Sequence, residues 1–191
     1  MFQRFRIIKT VCIFLLIFFL TTILSYYLLP EGFLKNVNSG KDSANDLSLV
    51  NTAVSIFARN ALVVVLCIVG CFVTIKMSNI TFPIGYMGVA MMFVVNGITL
   101  GTWSFTMRNT ARPEMLQILL HSFDVIHNAG LPEMIGVALV VSSFGRSHLF
   151  LVDNGNLIRK KLASLQKDEK ISACIGAALI AVSSVIEAFA A

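Results

Sequence analysis

The chain has 191 residues, 57% of them hydrophobic and only 13% charged, with 15 Lys+Arg against 10 Asp+Glu for a net charge of +5. An ordinary water-soluble domain carries about 25% charged residues, so the composition excludes one. Residues 10 to 30 and 77 to 107 contain no charge at all. Runs of that length point to a hydrocarbon solvent, because about 20 apolar helical residues cross a core of about 30 Å.

The first span is expected over residues 10–29, behind Arg4, Arg6 and Lys9. It is longer than a signal-peptide h-region of about 7 to 15 residues and lacks a small-x-small site before Pro30, so it reads as retained rather than cleaved. Residues 30–59 form a polar outer loop. The second half of that loop places Leu47, Val50, Val54 and Phe57 at helical spacing, the pattern of an amphipathic helix lying along the surface. The second and third spans, 60–76 and 82–101, are joined by a very short turn. Residues 115–145 would extend about 46 Å as one straight helix, and Gly130 and Pro132 divide them, so a helix broken at 130–132 is expected. A basic polar loop, 146–170, leads to a small-residue-rich last span over 171–189.

Basic loops are retained on the cytoplasmic side. With the N-terminus inside, ten Lys and Arg fall inside (Arg4, Arg6, Lys9, Lys76, Arg146, Arg159, Lys160, Lys161, Lys167, Lys170) and five outside (Lys35, Lys41, Arg59, Arg108, Arg112). This choice makes the broken segment cross once. It gives five crossings, a C-terminus outside, and Tyr26, Tyr27 and Trp103 near the outer interface, where amphipathic rings are favoured. The basic excess is therefore read as a topology signal and not as a nucleic-acid surface. The expected fold is all-α: a polytopic membrane helical bundle of about five transmembrane helices, one of them broken, with a surface amphipathic helix. It forms a single integral membrane domain over 1–191.

Two carboxylates fall inside spans, Glu133 and Glu187. Each costs about 2.5 to 3.5 kcal/mol at mid-membrane and calls for a partner or a cavity. Topology sets Arg59, Asn60, Asn96, Glu133 and Glu187 at about the same depth in the outer half of the membrane. Two uses fit: an outward-facing polar site at the helix break, or a structural clamp that fixes helix register. His121, Asp124 and His127 recur at intervals of three but lack the further ligands a zinc site wants, and no metal is expected. Cys12, Cys67, Cys71 and Cys174 all lie in apolar spans and read as packing residues rather than a disulfide or C-x-x-C framework. Gly97 and Gly101 form a GxxxG spacing, and Ala173, Ala177 and Ala181 a small face. Both permit close helix approach, within the bundle or between two copies in a homo-oligomer. The chain contains no Walker loop, nucleophile elbow, HExxH or dinucleotide fingerprint, so neither an enzyme nor a cofactor is expected.

Several of these residues together resemble the family of bacterial integral membrane proteins related to stage II sporulation protein M. The resemblance covers roughly residues 50 to 190. It rests on Phe57-Ala58-Arg59-Asn60 opening a span, Asn96-Gly97-Ile98-Thr99-Leu100-Gly101 closing the next, and Ile186-Glu187-Ala188-Phe189 in the last. Asn128-Ala129-Gly130-Leu131-Pro132-Glu133 is similar to the family's Pro-His-Gly-x-x-Glu break, keeping Gly130 and Glu133 without the proline and histidine at their usual places. The resemblance implies a multi-pass protein of the bacterial cytoplasmic membrane. Its founding relatives act in engulfment, in association with peptidoglycan-degrading membrane proteins, while others look like companions of ABC transporters or of circular-bacteriocin production and immunity. The expected function is thus a non-enzymatic scaffold or complex subunit at the cell envelope, with the lipid bilayer and other envelope or transporter proteins as partners. The alternative is a transport-related protein, either a small permease or an exporter accessory.

Overall fold

In the computed structural model, the described residues are 2–34, 49–77, 80–104, 112–121, 130–145, 149–153, 156–159 and 164–190. In chain order they form α1 (Phe2–Leu28), α2 (Leu49–Cys71), β1 (Val73–Met77), β2 (Ile80–Pro83), α3 (Gly85–Gly101), α4 (Met115–His121), α5 (Gly130–Phe144), β3 (Phe150–Asp153), β4 (Asn156–Arg159) and α6 (Lys167–Ala190). Three helices, α1, α2 and α6, are long and apolar enough to cross a membrane. The chain is a membrane protein by that measure. With 17 and 15 residues, α3 and α5 extend only about 25 and 22 Å, less than a hydrocarbon core of about 30 Å.

Close backbone contacts at glycine fix how the helices run. Gly85 and Gly88 on α3 meet Cys67 and Cys71 on α2, so these two are antiparallel. Gly97 and Gly101 on α3 meet Phe18, Thr21, Thr22 and Ser25 on α1, so these two are parallel. The GxxxG face is therefore filled inside the chain by α1 and is not available to a second copy. Gly136 on α5 and Gly176 on α6 each press on the other's carbonyl oxygen, making an antiparallel seam. That seam uses Gly176 rather than the expected alanine face, of which Ala177 and Ala181 remain exposed. Helix α5 is central: Met134, Gly136, Val137, Ala138 and Val141 are buried among α1, α2, α3 and α6. Around it the core is Phe14, Phe18, Val64, Val89 and Phe93, while long apolar side chains on the outward faces of α1, α2 and α6 stay exposed, as lipid contact requires.

The structure corrects the all-α expectation. Residues taken for a short turn and for the start of a basic loop build a four-stranded sheet in the order β2-β1-β3-β4. β1 and β3 leave α2 and α5, which run the same way, and so pair in parallel; β2 and β4 fold back antiparallel on them. The backbone of Phe72 accepts from Leu149 and Phe150 and closes the joint, and Lys76 Nζ meets Asp153 Oδ2 at 2.8 Å across the β1/β3 register. The sheet covers the bundle end where α1, α3 and α6 begin. The second span accordingly ends at Cys71 and not at Lys76. Nor is the Leu47–Phe57 pattern a separate surface helix: residues 49–71 are one continuous helix, whose Val50, Val54 and Phe57 stripe remains exposed.

The break expected at 130–132 is where α5 begins. Gly130 and Pro132 lie in its first turn, where proline is tolerated because the first amides have no intrahelical acceptor, and Glu133 adds the acidic charge favoured at a helix N-terminus. Residues 122–129, including Asp124 and His127, lie outside the described residues. Trp103 is buried. It closes α3 in a Schellman turn, with Trp103 N–H donating to Leu100 O (3.1 Å) and Ser104 N–H to Thr99 O (2.9 Å). At φ 55° it holds the left-handed position that glycine usually takes.

Candidate functional site

The end of the bundle opposite the sheet holds the residues singled out from the sequence. Arg59 Nη2 on α2 lies 3.8 Å from Glu187 Oε1 on α6, with side-chain exposures of 51% and 40%. This is a long, half-exposed pair on neighbouring helices. Helix register brings the other groups to a similar depth. Gly85 contacts Cys71, and stepping 11 residues outward on each antiparallel helix (96 − 85, 71 − 60) pairs Asn96 with Asn60. Tyr86 contacts Gly145, and 10 residues outward (96 − 86, 145 − 135) pairs Asn96 with Ile135, leaving Glu133 about 3 Å further out.

Equal depth is not contact. Asn96 donates its amide to the Met92 carbonyl of its own helix at 2.8 Å. Asn60 is buried, and its Nδ2 has no hydrogen-bond partner. Glu133 is half-buried in the first turn of α5. Of the five residues, the ion pair joins Arg59 and Glu187. Exposed on the same two helices are Val54 and Phe57 of α2 and Val185 and Phe189 of α6, so this end presents charge within an apolar surface.

A second polar region, which sequence reasoning missed, lies at the sheet end. Arg6 Nη2 meets Glu169 Oε1 at 2.8 Å, with Glu169 only 2% exposed. The other carboxylate oxygen accepts from Gln166 N–H at 2.9 Å. Gln166 precedes the first residue of α6, so Glu169 completes one half of a capping box while neutralising Arg6 from α1. Tyr86 of α3 lies within electrostatic reach of Arg6, with the Ser142 and Thr10 side chains beside its hydroxyl. The signal available in sequence was the Gln166-x-x-Glu169 spacing with Asp168 and Glu169 in one first turn; nothing in the spacing pointed to Arg6.

Between the two ends stands an apolar layer of Phe14, Phe18, Val64, Cys67, Phe93 and Val137. The four cysteines are unpaired, with Cys67 and Cys71 buried and Cys12 and Cys174 exposed. Among the described residues no group of three His, Cys, Asp or Glu is placed to hold a metal ion. Among the described residues the arrangement offers charge and shape at the two ends of the bundle. No family model, curated protein or solved structure matches this chain.

Proposed function

We propose that the protein is a non-enzymatic scaffold or complex subunit of a bacterial cytoplasmic membrane, in line with its resemblance to stage II sporulation protein M. In this reading the chain crosses five times, α3 and α5 included. The N-terminus and the sheet lie in the cytoplasm, the C-terminus and the Arg59–Glu187 pair outside. The observation that carries the reading is that pair: two charges held only 3.8 Å apart and half exposed, set among exposed apolar side chains. An ion pair left in that state adds little to a fold, yet it displays a charge pattern to a neighbouring envelope or transporter protein.

The transport-related reading draws on Glu133 at the first turn of the central helix α5, as an ion or proton ligand. Against it stands the apolar layer between the two polar ends. Affinity purification in mild detergent, followed by identification of co-purifying proteins, separates the two. Recovery of cell-wall hydrolases or other envelope proteins is the expected result. Glu133→Gln that leaves protein level and assembly intact but abolishes pH-dependent flux or protection against a peptide would overturn the scaffold. The orientation is tested by Ile158→Cys, which should react with an impermeant thiol reagent only after the cytoplasmic face is opened; reaction in intact cells would reverse the topology.

A further inference from the structure

Helix α4 has seven residues and extends only about 10 Å, far less than a hydrocarbon core of about 30 Å. It cannot cross a membrane, yet it carries large apolar side chains on opposite sides. Ile118 is wholly buried, while Leu116 and Leu120 are 68% and 63% exposed and share one face, being four residues apart. A helix this short is not stable alone, so its place is set by what holds it. Arg112, just before it, supplies the hold. Its backbone N–H donates to Glu31 Oε1 at 3.0 Å, and its guanidinium donates to Tyr26 O at 3.0 Å while lying over the Tyr26 ring. Beside this contact Gly32 N–H donates to Thr102 O at 2.8 Å and Leu34 N–H to Ser104 Oγ at 3.0 Å. The start of α4 is therefore tied to the place where α1 and α3 end.

That place has a defined level. Helix α1 is long and apolar enough to cross a membrane, so its last turn marks one edge of the hydrocarbon core, and Leu24, Tyr27 and Leu28 are exposed there. Helix α3, against which α4 packs, is itself shorter than the core is thick. A helix tied to its end thus falls within reach of the leaflet. We propose that α4 is an interfacial anchor: Leu116 and Leu120 dip into the acyl boundary of the leaflet at the end opposite the sheet, continuing the lipid-facing side of α1, while the exposed Glu114 and Gln117 lie at headgroup level. The occupant of the exposed Leu116 and Leu120 face is lipid, because the Arg112 contacts hold that face at the edge of a spanning helix. Ile118 and Arg112 then couple the depth of the anchor to α1 and α3.

Fluorescence quenching of the full chain in lipid nanodiscs tests this. Leu116→Trp and Leu120→Trp each place a reporter at an exposed position, and the buried Trp103, the one tryptophan of the chain, sets the baseline. Both variants should lose more emission to lipids brominated at the headgroup end of the acyl chain than to lipids brominated at the chain terminus, and more than to iodide in the aqueous phase. Leu62→Trp, exposed near the middle of α2, should instead respond most to bromine at the chain terminus. Reporters on α4 quenched chiefly by iodide would put the helix in the aqueous phase and overturn the proposal. Reporters reached by neither bromine nor iodide would show the face covered by protein, a second copy or another partner, and would overturn it equally.

Discussion

The two ends of the bundle each carry one arginine-glutamate pair, and the pairs differ in kind. At the sheet end Arg6 and Glu169 meet at 2.8 Å, with the carboxylate buried and a backbone amide on its second oxygen. At the open end Arg59 and Glu187 stand 3.8 Å apart and half exposed. A buried carboxylate whose lone pairs are used in this way is costly to disturb, because removing one partner leaves the other uncompensated. A half-exposed pair is worth little to the fold. One end is therefore built for holding, and the other contributes little to holding and is the surface on which the proposed recognition rests.

The largest expected effect is at the holding end. Glu169→Ala removes the Arg6 partner and half of the capping box, and should cost about 3 kcal/mol, read as a drop in Tm of roughly 6 to 12 °C in detergent; a loss no greater than that of Glu187→Gln would erase the contrast. Next is Gly101→Leu, which drives a side chain into the Thr22 carbonyl and Ser25 of α1. It should cost about 2–3 kcal/mol and would locate the strength of the open end in its helix seam and not in its charges. Arg112→Ala comes third. Its guanidinium donates to Tyr26 O at 3.0 Å and lies 4.2 Å over the Tyr26 ring, capping the C-terminus of α1, so a loss of about 1–2 kcal/mol in chemical denaturation is expected. The smallest effect belongs to Glu187→Gln, about 0.5 kcal/mol or less, and that difference should fade in high salt. A cost rivalling that of Glu169→Ala would make the Arg59–Glu187 pair a structural clamp.

The helical part of the fold was legible because lipid imposes long charge-free runs, which single residues cannot hide. The charge gap at 10–30 marks α1, and Gly130 marks the start of α5. The sheet too has local signals in the sequence. Val73-Thr74-Ile75 is β-branched throughout, and the register Asp153↔Asn156 leaves Asn154-Gly155 as the connection, the strongest short hairpin signal; the apolar context of α2 and the basic count of residues 146–170 masked both. The Leu47–Phe57 periodicity is real, but a helical stripe cannot tell a separate surface helix from the first turns of a continuous one. At the end opposite the sheet, helix register sets which residues lie level with one another, whereas contact depends on side-chain direction, which is why Asn96 turns back to Met92. The Arg6–Glu169 pair joins residues 163 apart, and no periodicity reports a contact at that range.

The division of labour is tested most directly by the charge swap Arg59→Glu/Glu187→Arg, followed by quantifying the proteins that co-purify with the folded variant. The swap restores the intramolecular pair but reverses the pattern shown to a neighbour. The expected result is a wild-type Tm with the companions lost; a swap that keeps both the fold and the full set of companions would contradict a recognition role for the open end.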